Sequence, residues 1–187
     1  MKTTSEIRKA GIAARDALDK EYRTGQSATI VAQILQSEEY KAARTVMIYK
    51  AVRGEVRLEA LERDPSAQGK CIVYPLCIGE GIMIALQPEG PDAWAKGSYG
   101  IPEPIREKSI EIDPADIDLV ICPCTAFDEK CNRVGMGAGY YDRFLTKCGK
   151  ARIISVAFEA QKADEIPVEP WDHAMEKTYT EKRVYLR

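Results

Sequence analysis

Residues 132–143, Asn-Arg-Val-Gly-Met-Gly-Ala-Gly-Tyr-Tyr-Asp-Arg, concentrate the residue types that handle phosphate. Gly135, Gly137 and Gly139 alternate with small or apolar residues, and glycine lets a backbone approach an anion closely. The residues after them, Tyr140 to Lys147, can form a helix, whose first turn would add unpaired N–H groups and a positive dipole end. The spacing is Gly-x-Gly-x-Gly, so the dinucleotide fingerprint is absent, and no Gly-Lys-Ser or Gly-Lys-Thr follows to make a P-loop. Three alternating glycines alone also fit a tight turn without a ligand. Arg133 before them and Tyr140-Tyr141-Asp142 after them shift the balance toward a site.

Such a loop needs a scaffold. Asp118 to Cys122 reads as a buried strand leading into it, and Arg152 to Ala157 as another. Upstream, Ser5 to Tyr22 has the composition of a helix. Gly25 and Ser27 read as punctuation before a second helix, from about Ala28 to Lys41, in which Ile30, Val31, Ile34 and Leu35 recur at helical spacing. Thr45 to Tyr49 reads as a strand, and Glu55 to Leu61 as a short helix. Cys71 to Leu76 and Gly81 to Leu86 read as a hairpin. The Pro- and Gly-rich stretch from Pro88 to Ile112 reads as an irregular connection, and a long loop in a compact domain is more often functional than idle. A last strand, about Thr178 to Leu186, closes the pattern. Strands alternating with helices predict a single three-layer α/β/α domain over 1–187, with a mostly parallel, partly mixed central sheet. Ligands in such sheets gather at the carboxyl ends of strands, where the glycine loop falls.

Composition narrows the partners. The 187 residues carry a net charge of −2, so nothing draws the chain generally to nucleic acid or anionic membrane, and anionic ligands would need a local basic patch. The chain has no apolar run of the roughly 20 residues a membrane helix requires, and Met1 to Arg23 lacks an apolar signal core. A cytoplasmic monomer acting on small molecules is expected. The six cysteines, with no Cys-x-x-Cys pair and only His173 beside them, do not suggest zinc. They read as reduced structural thiols, with Cys131 in the glycine segment the candidate for an exposed one. His173 reads as a surface histidine.

With its flanks, the glycine segment resembles the signature of the 5-formyltetrahydrofolate cyclo-ligase family. Pro123, Ala126-Phe127-Asp128, Arg133, Gly135, Gly137 and the run Gly139 to Leu145 match it. Further pieces fall in family order: Ile7-Arg8, Glu55-Val56, Gly69-Lys70 with Tyr74-Pro75, Gly100 to Pro104, Val156 to Glu159, Pro167, Asp172 and Thr180-Glu181. The chain departs at Thr4, where the family has a lysine (Lys2 stands two positions away), at Met136 and Ala138, at Arg57-Leu58 after Glu55, and at Trp171 before Asp172.

The resemblance implies ATP- and Mg²⁺-dependent ring closure of a reduced folate, and assigns roles by position. Arg133, Tyr140 and Asp142 would serve catalysis. Thr4, Ser5, Glu6, Ile7 and Arg8 would join Arg133, Val134, Gly135, Met136, Gly137, Ala138, Gly139, Tyr140 and Tyr141 around ATP. Lys50 and Glu55 would meet the folate together with Met136 to Tyr140, Glu55 by accepting hydrogen bonds from pterin N–H groups. Asp142 and Asp172 would hold the metal. Plainer readings exist for several: a helix cap for Asp142, a loop cap for Asp172, a solvated helix residue for Arg8. The cluster Arg143, Lys147, Lys150 and Arg152 could meet a polyglutamate tail or simply face solvent. A non-catalytic folate or nucleotide binder on the same fold is the competing reading.

Overall fold

In the computed structural model, which describes residues 2–97 and 100–187, the N-terminal helices are placed by their caps. Helix α1 (Thr4–Asp16) opens on a capping box: the Glu6 amide donates to the Thr3 hydroxyl at 3.2 Å and the Thr3 amide to the Glu6 carboxylate at 2.7 Å. Helix α2 (Lys20–Gln36) opens on Asp19, whose carboxylate accepts from the Tyr22 amide at 2.6 Å. The helix expected over Ser5–Tyr22 is therefore two helices, and Gly25 and Ser27 lie inside the second. An aspartate cap outweighs the cost of an exposed mid-helix glycine, about 1 kcal/mol. Ser37 stops α2 and caps α3 (Glu38–Ala42), splitting the second expected helix as well.

The strands follow as β1 (Thr45–Met47), β2 (Cys71–Gly79), β3 (Ile82–Pro88), β4 (Trp94–Lys96), β5 (Pro102–Pro104) and β6 (Ser109–Ile112). Then come β7 (Leu119–Pro123), β8 (Ala126–Phe127), β9 (Arg133–Val134), β10 (Arg152–Val156), β11 (Lys177–Tyr179) and β12 (Val184–Leu186). Helix α4 (Glu59–Arg63) separates β1 from β2, and α5 (Tyr140–Leu145) separates β9 from β10. The main sheet has the order β12-β11-β10-β7-β1-β2-β3-β6. Its middle, β11 to β2, is parallel throughout, while β12, β3 and β6 pair antiparallel at the two ends. The expected last strand is thus an antiparallel pair, β11 and β12. The stretch 88–112, read as irregular, carries the small β4–β5 sheet and the edge strand β6; Ser98 and Tyr99 lie outside the described residues.

Alternation along the central strands sorts the core into two layers. Val46, Ile48, Leu119, Ile121, Ile154 and Val156 pack with Ile30, Ile34 and Leu61 on the face covered by α2 and α4. Met47, Val73, Val120, Cys122 and Ile153 pack with Phe144 and Leu145 of α5 on the other. Such period-two sorting is what a strand buried on both faces produces. Helix α1 stands apart from both layers, over β8 and β9 at the carboxyl end of the parallel strands, where Ile7 packs with Ala126, Val134 and Ile166. Gly11 makes this seat possible: a Cβ there would lie 2.1 Å from the Thr125 carbonyl oxygen. No helix among the described residues is long and apolar enough to cross a membrane.

Candidate active site

Beyond the carboxyl ends of β1 and β7, a cleft of about 1030 Å³ opens between the glycine loop and the β2–β3 hairpin. One wall is the loop. Asp128 organises its entry: the Lys130 and Asn132 amides donate to Oδ1 at 3.0 and 2.9 Å, and the Asn132 side chain and the Ile166 amide to Oδ2 at 2.9 and 3.1 Å. This buried carboxylate fixes both the loop and the segment that carries Asp172. Cys131 follows in a left-handed conformation (φ 59°) and is fully buried, so it is not the exposed thiol expected from its position; the exposed cysteine is Cys77, on the cleft rim. Cys122 and Cys124, buried below the loop, have thiols pushed up to about 12 by desolvation and stay protonated.

Gly137 (φ 104°) and Gly139 (φ 65°) adopt conformations that side chains rarely take, and both lie under arginines. A Cβ on Gly137 would stand 3.3 Å from the Arg8 guanidinium carbon, and one on Gly139 would stand 2.9 Å from Arg143 Nη1. Arg8 Nε donates to the Gly135 carbonyl at 2.8 Å, which ties α1 to the loop. Arg143 donates to the Gly81 carbonyl at 3.0 Å and to the Ala138 carbonyl, and the Tyr140 hydroxyl donates to the Gly79 carbonyl at 3.0 Å. The hairpin tip is therefore pinned to the loop, and Tyr140 offers the cleft its ring while its hydroxyl is engaged. Helix α5 is only six residues long, two fewer than expected. Positive charge here comes mainly from Arg8, Arg133 and Arg143.

Arg133, its side chain 4% exposed, donates to Asp142 Oδ1 at 2.8 Å, while its Nε has no hydrogen-bond partner. The His173 amide reaches the same oxygen at 3.4 Å, which brings the 172–173 segment against Asp142. Asp172 accepts from the Glu169 amide at 2.8 Å through Oδ2. The two carboxylates thus share one corner of the cleft, each with one oxygen engaged. Among the described residues no group of three or more His, Cys, Asp or Glu side chains could hold a metal by itself. Two carboxylates do suit Mg²⁺, which usually keeps several waters and takes phosphate oxygens. His173 lines the cleft and is half-buried rather than on the surface; burial, then the Arg133 charge, hold its imidazole below the usual value, so it is neutral at pH 7.

The opposite wall is built by the turn after β1. Arg53 (φ 45°) and Gly54 (φ 79°) are both left-handed, and the Glu55 amide closes on the Val52 carbonyl at 2.9 Å. Glu55 therefore sits in a tight turn, not in a helix; α4 begins four residues later. Its side chain lines the cleft at 7% exposure, with Oε2 accepting from the Val52 amide at 3.0 Å. Burial pushes this carboxyl above its usual range, partly offset by that amide and by Arg15. Beside it, Lys50 Nζ pairs with Glu62 at 2.6 Å and lies 4.7 and 4.9 Å from the ring centres of Tyr74 and Trp94.

Of the residues singled out in the sequence, Thr4, Arg8, Lys50, Glu55, Arg133, the run Val134 to Asp142, and Asp172 all line this one cleft. Ser5, Glu6 and Ile7 do not: Glu6 closes the α1 capping box and Ile7 lies in the core. Of the basic cluster, Arg143 lines the cleft and bonds the hairpin, whereas Arg152 pairs with Glu176 and Lys150 faces Asp118 at 3.8 Å. Sequence reasoning missed Gly11 and Arg15. A glycine within an otherwise regular helix was the available signal for the first.

A doubly covered, mostly parallel sheet with a glycine loop, arginines and two carboxylates lining a cleft at its carboxyl end defines an α/β protein with its candidate site where such sheets gather ligands. Comparison with known proteins narrows this class. Residues 1–181 match the 5-formyltetrahydrofolate cyclo-ligase family, and the chain belongs to that family of ligases. The mouse 5-formyltetrahydrofolate cyclo-ligase is 28% identical over 88% of this chain and 87% of its own. A relative from Schizosaccharomyces pombe is 36% identical over 125 residues, 65% of this chain and 61% of its own length. The solution structure of Aquifex aeolicus 5,10-methenyltetrahydrofolate synthetase superposes with a TM-score of 0.84 at 30% identity, covering 98% of this chain and 92% of that one.

Proposed function

We propose that this protein converts 5-formyltetrahydrofolate and ATP to 5,10-methenyltetrahydrofolate, ADP and phosphate, with Mg²⁺. The observation that carries the reading is the convergence of the glycine loop, Arg133, the Asp142–Asp172 corner and Glu55 on one cleft. The formyl group is amide-like and resists attack. Its oxygen attacks the γ-phosphorus, the bond to ADP breaks, and a formyl-phosphate of imidate type forms. The folate N10 then attacks the formyl carbon, loses its proton, and phosphate leaves as the ring closes. The substrate supplies both nucleophiles, so the protein needs to position and neutralise rather than attack.

Each wall has its task. The backbone from Gly135 to Gly139 takes the phosphates, and Arg8 and Arg133 offset their charge. Asp142 and Asp172 would hold Mg²⁺, which neutralises phosphate oxygens as the phosphoryl group transfers. Glu55, held facing the cleft, accepts from the ring N–H groups of the pterin. The hairpin, pinned to the loop by Tyr140 and Arg143, holds the two sides of the cleft together around the ligands. Ultraviolet absorbance of the methenyl product, followed with 5-formyltetrahydrofolate, ATP and Mg²⁺, tests the reading. Product that requires all three is expected; ligand binding without product would establish a binder instead.

A further inference from the structure

Helix α1 buries Ile7, Gly11 and Arg15 along one stripe. The last of these is unusual, because an arginine is seldom fully buried. Arg15 is 1% exposed, and none of its three guanidinium nitrogens has a hydrogen-bond partner. Two carboxylates lie at ion-pair distance: the exposed Asp16, with Oδ1 3.9 Å from Nε, and the buried, cleft-lining Glu55, with Oε1 4.0 Å from Nη1. Glu55 Oε2 is already taken by the Val52 amide, so Oε1 is the oxygen on the Arg15 side. The seat is deliberate in the sequence. Gly11 lets α1 approach the Thr125 backbone, and Gly54 leaves room for the Arg23 guanidinium, which donates to the Arg15 carbonyl at 3.3 Å.

We propose that Arg15 is the positioning residue for Glu55, a buried cation that holds this carboxylate charged and facing the cleft so that it can accept from a folate ring. The proposal rests on the reading of the cleft as a folate site. The groups around Glu55 leave this task to Arg15. From β1's end comes Tyr49, from α5 Tyr141 and from the segment after β7 Cys124; all three are kept protonated by burial and bring no positive charge. Arg53, in the turn itself, is exposed, so water screens its charge. Arg15 is the one buried cation facing this carboxylate among the described residues.

The test is a carbon-13 NMR titration of the Glu55 carboxyl in the full, ligand-free chain, assigned with Glu55→Gln. In Arg15→Met the titration should move up by about one pH unit, the scale of one lost neighbouring charge, while Arg15→Lys should stay near wild type. Arg15→Gln serves if the methionine variant does not fold. Calorimetry should then show 5-formyltetrahydrofolate binding about tenfold weaker in Arg15→Met, the scale of one charged hydrogen bond, with ATP binding unchanged. An unmoved titration, or equal losses for both ligands, would overturn the positioning role and leave Arg15 a packing residue. A moved titration in a protein that binds no reduced folate would instead overturn the reading of the cleft.

Discussion

The two walls of the cleft reach rigidity by different means. The glycine loop is backbone held by side chains: Asp128 collects four donors at its entry, and Arg8 and Arg143 lie over Gly137 and Gly139. The Glu55 wall is a side chain held by backbone, presented by a turn with two left-handed residues and backed by a buried helix arginine. A phosphate chain carries charge spread over many oxygens, which amides and arginines can share. A heterocycle with directional N–H groups needs one carboxylate in one orientation. Each wall suits one of the two proposed ligands, and changes on each should separate their affinities.

The largest effect belongs to Asp142. Alanine there would also strand buried Arg133, at a cost of about 3–5 kcal/mol in stability, so Asp142→Asn is the cleaner probe. Turnover in Asp142→Asn should fall at least about 10³-fold with folate affinity kept, as expected when phosphoryl charge loses its compensation; steady-state rates beside folate calorimetry check this. Arg133→Lys follows, with turnover down about 100-fold, because a point charge cannot replace a fork that both holds Asp142 and faces the cleft. Gly11→Ala should lower stability by about 2–3 kcal/mol through overlap with the Thr125 carbonyl, read as a drop in thermal midpoint, and should weaken ATP through Arg8. Lys150→Ala is the smallest, with folate affinity unchanged if that cluster faces solvent; a marked loss, seen by calorimetry with a polyglutamylated folate, would return the cluster to the site.

Glu55 adds a pH dependence. Its carboxyl titrates above the ordinary range because burial penalises the charge. A carboxyl raised in this way favours the folded state as it protonates, so its ionised form costs stability above that value. Folate binding, which uses the ionised form, should therefore strengthen as pH rises through the raised value and weaken below it. Glu55→Gln should abolish this limb.

How legible the site was follows the same division. The loop could be read because its glycines and flanking arginine and aspartate carry their chemistry in their identity and spacing. The Glu55 turn could not, since left-handed Arg53 has no signature in a single sequence and Glu55-Val56 fits a helix start as well. The α1 stripe was hidden for a related reason: composition marks a helix there, but the residues buried beside Ile7 are Gly11 and Arg15. Propensity assigns glycine and arginine to surfaces, and only the tertiary contacts with Thr125 and Glu55 reverse it. The central strands were legible, because two-sided burial of parallel strands leaves continuous apolar runs; the short strands β4, β5, β6, β8 and β9, which lie outside that parallel core, carry no such run and were not.

Calorimetric titration of 5-formyltetrahydrofolate and of MgATP onto wild type, Glu55→Gln and Asp142→Asn tests the division of the cleft most directly. The account predicts about tenfold weaker folate and unchanged MgATP for Glu55→Gln, the scale of one charged hydrogen bond, with the reverse pattern for Asp142→Asn. Both ligands weakened alike by either change would contradict it.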